Sequence, residues 1–151
     1  MPARFRAATQ ADLDGMVLLI ERLFTVEPDY VFDAAKVKRG LELLQTREDA
    51  AALWVAELDG RLVGMCSAQI VISTAEGGAS AWVEDVVVSP DLRGHGIGRR
   101  LLDAVTAWAA RRGIGRLQLL ADRDNAAALA FYRRLDWQTT RMICLQLRPG
   151  A

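Results

Sequence analysis

Residues 93–99 read RGHGIGR, so three glycines stand at every second position between arginines. The stretch follows an apolar run and the turn residues Ser89 and Pro90, and a helical pattern begins at Gly98. The first N–H groups of a helix have no partner within the helix, and the helix dipole adds partial positive charge there. Glycines let such amides surround a phosphate, and an arginine adds charge-assisted hydrogen bonds. The spacing therefore predicts a phosphate-binding loop.

The same loop excludes two common phosphate motifs. A dinucleotide fingerprint needs GxGxxG, but Arg99 stands where the third glycine belongs. No GxxxxGK(S/T) segment occurs in the chain, which excludes a P-loop. An alternative without any ligand stays open, in which the glycines serve only to make a tight turn.

A pair of adjacent carboxylates, Glu84 and Asp85, lies in the strand-like segment AWVEDVVV (81–88). A carboxylate in a cleft can accept a proton from a reacting group. Because successive side chains of a strand point to opposite faces, the sequence predicts that only one of the two faces a given cleft. A salt bridge at the end of the strand is the alternative without catalysis.

Hydrophobic periodicity predicts the elements that position these residues. Thr9 and Asp12 are expected to form a capping box before a first helix, and Asp33 is expected to cap a second one. Asp59-Gly60 predicts a two-residue hairpin turn between strands within 51–73. Further strands are predicted at 3–8, 81–88, 116–121, near Trp137 and at 141–147, with helices at 98–112 and 125–134. Because strand 81–88, helix 98–112 and strand 116–121 form a parallel crossover, we expect a mixed three-layer α/β domain.

Composition and charge narrow the class of protein. The chain has 151 residues, of which 52% are hydrophobic and 25% charged, and this fits one globular domain over 1–151. Basic and acidic residues each total 19, so no basic excess favours nucleic acid or an anionic membrane. No signal peptide or membrane-length apolar run is visible. Cys66 and Cys144 are expected to be buried thiols, so we expect a cytoplasmic domain without metal.

These segments resemble the GNAT family of acetyl-CoA-dependent N-acetyltransferases. RGHGIG fits the family signature (Q/R)xxGx(G/A), and VEDVVVSPDLRGHGIGRRLL is similar to its strand-loop-helix block almost throughout. DRDNAAALAFYRRLDW is similar to the block NxxAxxFYxxxGF, with Asp136 in place of its glycine. Aspartate tolerates the positive φ usual at that glycine, so we expect the turn to survive. The resemblance implies a mostly antiparallel twisted sheet with a parallel β-α-β core, and acetyl-CoA as the acetyl donor.

The resemblance also implies which residues bind coenzyme A. In the family, the backbone of the strand lies along the pantetheine arm, and the amides of the loop hold the pyrophosphate. Asn125 matches an asparagine that contacts the pantetheine region, although it can equally serve as the cap of the last helix. Transferred to this sequence, the cofactor-binding residues are Val86, Val87, Val88, Arg93, Gly94, His95, Gly96, Ile97, Gly98, Arg99 and Asn125.

Two catalytic roles are implied in the same way. Direct attack of an amine in a ternary complex needs a base for the ammonium proton and an acid for the departing thiolate. The family pattern gives the base to Glu84, directly or through water. It gives the acid to Tyr132, whose ordinary pKa of about 10 suits a thiol. A Tyr132 ring packed under its helix is the alternative without catalysis.

The acceptor is expected beside the first two helices. VEPDYVFD (26–33) offers acids and aromatic rings that can hold an ammonium. Candidate substrate-binding residues are therefore Asp85, Asp29, Tyr30 and Phe32. This mixture favours a small amine, such as a polyamine, an aminoglycoside, an aminoalkylphosphonate or an amino acid. A solvated acidic loop is the alternative.

Other functions stay open at the level of the sequence. A protein N-terminus or lysine is an alternative acceptor. A non-catalytic acetyl-CoA sensor, or a regulator whose loop takes another nucleotide, is an alternative to an enzyme. Resemblance to the family predicts a homodimer, and we expect no nucleic-acid or membrane partner.

Overall fold

Helices and strands follow the predicted periodicity through most of the chain. The computed structural model describes residues 2–150. Its elements are β1 (Arg4–Ala7), α1 (Leu13–Phe24), α2 (Ala34–Gln45), β2 (Ala51–Leu58), β3 (Arg61–Ser73), β4 (Gly78–Val88), α3 (Ile97–Arg111), β5 (Leu117–Leu119) and α4 (Ala126–Arg134). Most predicted ends differ from the observed ends by a few residues.

The chain divides into two compact units, of which the first ends at Leu119 and the second begins at Leu120. The first unit contains β1–β5 and α1–α3, and the second contains α4 and the C-terminal segment. A single domain over residues 1–151 stays a prediction.

The sheet of the first unit is mixed, as predicted. Its strand order is β1-β2-β3-β4-β5, with antiparallel pairing up to β4 and parallel pairing between β4 and β5. Asp59 and Gly60 have φ values of 50° and 77°, which are the values that a type I′ hairpin turn requires between β2 and β3. The parallel pair is joined through α3, so the predicted β-α-β core is confirmed.

Helices cover both faces of this sheet. Met65 of β3 belongs to a buried cluster formed with α1 and α2. Its neighbours Gly64 and Cys66 face α3 instead: a Cβ added to Gly64 would lie 3.1 Å from Leu101 Cδ1, and Cys66 Sγ lies 3.8 Å from the Leu101 carbonyl oxygen. Alternation along β3 therefore places α1 and α2 opposite α3. The three-layer arrangement is confirmed.

An ion-pair network, here called the Arg6 corner, joins β1, β2 and the start of α1. Arg6 donates to both carboxylate oxygens of Asp12, at 2.7 and 2.9 Å, and to Glu57 at 2.6 Å. The backbone N–H of Thr9 donates to Asp12 at 2.7 Å, which completes the predicted capping box. The hydrogen bonds from Arg6 hold the pKa of Asp12 down at about 2, below its ordinary 3.8.

The second unit departs from the sequence prediction. No residue in the described part of 120–150 belongs to a strand, so the strands predicted at 141–147 and near Trp137 are wrong. Apolar alternation gives a segment the pattern of a strand, but a strand also needs a neighbour to complete its hydrogen bonds. For the same reason Cys144 is exposed and not buried as predicted. Asp136 does have the positive φ expected of it, 67°.

Candidate active site

The glycine loop lies between β4 and the N-terminus of α3, as the sequence predicts. β4 ends at Val88, a 3-10 turn covers Pro90–Leu92, and α3 begins at Ile97. Gly94 and Gly96 have φ values of 79° and 81°, and a Cβ added to either would meet no atom within 4 Å. Backbone conformation, and not lack of space, is therefore what requires glycine at both positions.

The amides of this loop are available to an anion. The N–H of Arg100 donates to the Gly96 carbonyl oxygen at 3.1 Å, and this is the first hydrogen bond of α3. The N–H groups of residues 94–99 have no acceptor in the described part of the chain. Such a row of unpaired amides at a helix N-terminus, free of bulky side chains at its glycines, fits a pyrophosphate group.

The side chains around the loop have local partners. Arg93 Nε donates to the Val88 carbonyl oxygen at 3.4 Å, and His95 Nδ1 lies 3.0 Å from the Arg93 carbonyl oxygen. Ser89 is fully buried, and its hydroxyl accepts a hydrogen bond from Arg22 of α1 at 3.0 Å. Sequence reasoning missed the contact between Arg22 and Ser89, which fixes the end of β4 to α1.

Beyond Val83, β4 runs past its parallel neighbour. β5 pairs with β4 only through Ala81, Trp82 and Val83, whereas β4 continues to Val88. Within the described sheet, no strand pairs with residues 84–88 on the β5 side. This edge without a neighbouring strand fits the pantetheine arm that the family resemblance implies along Val86–Val88.

A β-bulge interrupts β4 where the two adjacent carboxylates lie. Met65 pairs with Val87 and Ser67 pairs with Glu84, so two residues of β4, Asp85 and Val86, stand opposite one residue of β3. Asp85 has a φ of 54°, which is uncommon for a residue with a side chain and is typical of strain at functional positions. The Ser67 hydroxyl lies 3.1 Å from Asp85 Oδ2 and 3.2 Å from the Glu84 carbonyl oxygen.

The bulge brings both carboxylates to one cavity of about 430 Å³, here called the β4 cavity. The prediction that only one of them could face a given cleft is wrong, because it assumed an unbroken strand. The β4 cavity has apolar walls from α1 and α2. Its polar residues are Arg47, Gln69, Glu84 and Asp85.

In the described part of the chain, the carboxylate of Asp85 in the β4 cavity has no positive charge beside it to balance its own. Burial, and secondarily the nearby charge of Glu84, raises the pKa of Asp85 to about 6 although Ser67 lowers it. Asp85 has no cation partner among the described residues. Burial raises the pKa of the adjacent Cys66 thiol to about 12, so this cysteine is no nucleophile.

The other predicted site residues lie elsewhere. Asp29, Tyr30 and Phe32 do not line the β4 cavity, but the rings of Tyr30 and Phe32 lie 5.4 and 6.3 Å from that of Phe24, which does line it. A larger cavity of about 810 Å³, between the C-terminal ends of α2 and α3, contains none of the predicted site residues.

Asn125 and Tyr132 belong to the second unit. Asn125 accepts a hydrogen bond from the Ala128 N–H at 3.0 Å. It therefore does cap α4, which is the role considered as the alternative to contact with pantetheine. The ring of Tyr132 lies 5.2 Å from Phe131 and 6.0 Å from Trp137, in edge-on contact with both. Their roles toward coenzyme A stay predictions.

Sequence reasoning also missed residues that line the β4 cavity or support it. Ser67, Arg47 and Gln69 belong to no sequence motif that could have indicated them. Gly40 was detectable in principle, because a glycine in the interior of a helix costs about 1 kcal/mol and so suggests another purpose.

A family comparison covers most of the chain. Residues 17–137 match the model of the acetyltransferase (GNAT) family. This match defines an acetyl-transferring enzyme whose family uses acetyl-CoA. The chain belongs to the GNAT family.

Individual proteins similar to this chain are also named acetyltransferases. An uncharacterized N-acetyltransferase of Methanocaldococcus jannaschii is 27% identical over 139 residues, which are 91% of this chain and 62% of that protein. A predicted acetyltransferase of Clostridium acetobutylicum, solved with acetyl-CoA, is 19% identical with a TM-score of 0.79 over 97% of this chain and 96% of that one. An aminoglycoside 6′-N-acetyltransferase of Acinetobacter haemolyticus is 21% identical with a TM-score of 0.80, over 96% and 97% of the two chains. At these identities the two structures show the fold alone.

No helix in the described part of the chain has the length and apolar character needed to cross a membrane. Among the same residues, no group of three or more His, Cys, Asp or Glu side chains is arranged to hold a metal ion.

Proposed function

We propose that this enzyme transfers the acetyl group of acetyl-CoA to the primary amine of a small molecule, by direct attack in a ternary complex. The observation that carries this proposal is the bulge of β4, which presents Glu84 and Asp85 together in a cavity with apolar walls. Two carboxylates in such a cavity suit an ammonium, and the cavity volume of about 430 Å³ suits a small molecule.

Acetyl-CoA, the donor, binds to the loop between β4 and α3 and to the end of β4. Amides of residues 94–99, together with Arg93, hold the pyrophosphate, and the free edge of Val86–Val88 holds the pantetheine arm. This arrangement directs the thioester along β4 toward the bulge. Support comes from the unpaired amides, from the short pairing of β5 and from the donor that the family uses.

Glu84 serves as the base. It is exposed at the β4 cavity, so it can take the ammonium proton directly or through water. The nitrogen then bonds to the acetyl carbon as the carbon–sulfur bond breaks, and the leaving thiolate takes a proton. Asp85 stabilises the ammonium before it is deprotonated.

Tyr132 is the proposed donor of the proton to the thiolate, and Asn125 is proposed to contact the pantetheine region. Both assignments rest on the family pattern in residues 122–137. Tyr132→Phe tests the first, because it removes the phenolic proton and keeps the ring that contacts Phe131 and Trp137.

A homodimer in the cytoplasm is the proposed state of the enzyme. One observation in the second unit supports the dimer: Met142, Ile143, Leu145 and Leu147 are 86%, 72%, 86% and 87% exposed. Several large, exposed apolar side chains close together in the sequence are typical of an interface. Sedimentation of the wild type and of Leu145→Lys tests this, and two monomeric samples would contradict it.

The function is tested by thiol release from acetyl-CoA in the presence of polyamines, aminoglycosides, amino acids and aminoalkylphosphonates. We expect at least one class to be acetylated, and we expect Gly96→Val to weaken coenzyme A binding in calorimetry because valine opposes a φ of 81°. Silence across the panel with acetyl-CoA still bound would favour a protein acceptor or a sensor. Unchanged affinity in Gly96→Val and Arg93→Ala would contradict the pyrophosphate site.

A further inference from the structure

The β4 cavity has charged groups of opposite sign. Its acidic part is the bulge, with Glu84 and Asp85. Its only basic lining residue in the described part of the chain is Arg47, which follows the C-terminus of α2. An ammonium held at the bulge therefore leaves a guanidinium available to a second group of the same molecule.

The side chain of Arg47 is exposed and is not held by a protein partner among the described residues. No carboxylate lies within ion-pair distance of its guanidinium in the described part of the chain, whereas Arg6, Arg61 and Arg116 each pair with one. The hydrogen bonds of Arg47 are made by its backbone: its N–H donates to the Leu44 carbonyl oxygen at 3.1 Å, and its carbonyl oxygen accepts from the N–H groups of Ala50 and Ala51. A planar guanidinium is suited to bind an oxyanion through two parallel hydrogen bonds.

One face of α2 lies between these charges. Val37, Gly40, Leu41 and Leu44 line the cavity at helical spacing and carry no charge. A Cβ added to Gly40 would meet no atom within 4 Å, so the space next to this glycine is open. The helix accepts a poor helix former at the position where a side chain would narrow the cavity.

We propose that the acceptor is a zwitterion: a primary amine that also carries an oxyanion, joined by a short apolar stem. Its ammonium binds at Glu84 and Asp85, its carboxylate or phosphonate binds Arg47, and its stem lies along α2 beside Gly40. The proposal rests on the function proposed above and names the substrate class of that site.

Matched substrates test it most simply. Acetylation rates are compared for linear amino acids, aminoalkylphosphonates and alkylamines that share the same stem. We expect the two oxyanion classes to exceed the alkylamines in kcat/KM by about 10- to 100-fold, the usual strength of hydrogen bonds between charged groups. The better of the two classes identifies the oxyanion.

Arg47→Gln should abolish that preference by raising KM for the oxyanion substrates while kcat holds, and Arg47→Lys should keep part of it. Arg39→Gln is the matched control, because Arg39 is an exposed arginine of α2 that does not line the cavity. If neither oxyanion class exceeds the alkylamines, or if the preference is unchanged in Arg47→Gln, the zwitterion is overturned and amine acetylation still stands. If no amine is acetylated, both proposals fail.

A second variant tests the stem. Gly40→Leu should raise KM for the acceptor at least several-fold and leave the affinity for acetyl-CoA unchanged, because its side chain enters the open space. Loss of folding does not explain such a result, since leucine is the better helix former. An unchanged KM in a folded Gly40→Leu would overturn the placement of the stem.

Discussion

Two aspartates in the first unit show how differently a protein can treat a carboxylate removed from water. In the Arg6 corner, Asp12 is met by the Arg6 guanidinium and by the Thr9 amide. At the bulge, Asp85 receives one hydrogen bond, from the Ser67 hydroxyl, and has no cation partner in the described part of the chain. The pKa of Asp12 is lowered to about 2, and that of Asp85 is raised to about 6.

We interpret the difference as one between a structural ion-pair network and the proposed binding site. The corner is complete within the chain, and its charges stabilise the junction of β1, β2 and α1. The bulge keeps a carboxylate without a cation partner among the described residues, and in the proposed reaction the ammonium of the acceptor compensates its charge. A buried carboxylate without a cation partner costs stability, which is the physical basis for proposing that Asp85 binds a cationic ligand.

The largest expected effect comes from Glu84→Gln. We expect kcat to fall by about 100-fold or more and the acidic limb of the pH–rate profile to disappear, because the base is gone. Affinity for acetyl-CoA and stability should hold. Glu57→Gln in the Arg6 corner is the matched control and should lower stability by about 1 kcal/mol with kcat intact. An unchanged profile in Glu84→Gln would discard this residue as the base.

Arg6→Met should lower the stability of the protein and leave kcat unchanged, the reverse of Glu84→Gln. Removing the guanidinium leaves Asp12 and Glu57 unpaired, so we expect a loss of about 2–3 kcal/mol in the free energy of unfolding at pH 7. Urea unfolding measures this loss, and Arg4→Met, on the same strand but exposed, should stay within about 0.5 kcal/mol of the wild type. A fall in kcat at full stability would contradict the division between the two regions.

The two aspartates should also give stability opposite pH dependences. Asp12 is more acidic when folded, so its contribution is present above its ordinary pKa of 3.8 and is lost as the pH falls toward 2. Asp85 is less acidic when folded, so its contribution is present below 3.8 and is lost as the pH rises through 6. Urea unfolding at a series of pH values should show the second decline in the wild type and not in Asp85→Asn. A decline that persists in that variant would contradict the assignment.

The smallest effect is expected at an exposed ion pair. Lys38 and Asp14 lie 3.4 Å apart, and their side chains are 48% and 90% exposed. Lys38→Met should therefore change the free energy of unfolding by less than about 0.5 kcal/mol and leave kcat unchanged. A larger loss would show that exposure is a poor guide to the worth of ion pairs in this protein.

Local signals in the sequence predict most of the first unit. The capping box at Thr9, the cap at Asp33 and the turn at Asp59-Gly60 are short-range patterns, and each is present. The glycine loop also lies between a strand and a helix, as its position in the sequence predicts.

Long-range features were not predictable in the same way. The bulge depends on the register between β3 and β4, which alternation along a single strand does not contain. Likewise, the apolar pattern of 141–147 does not say whether a neighbouring strand is available. Arg47 enters the β4 cavity only through the packing of α2 against the sheet.

Asp85→Asn tests the central claim most directly, namely that the bulge retains an unpaired charge for binding and not for folding. Asparagine keeps an acceptor for the Ser67 hydroxyl and tolerates a φ of 54°. Unfolding in urea at pH 7.5 and kcat/KM for the best amine are measured on the same preparation. We expect stability to rise by about 1–2 kcal/mol and kcat/KM to fall by about 10-fold or more. A less stable variant with full kcat/KM would contradict the account.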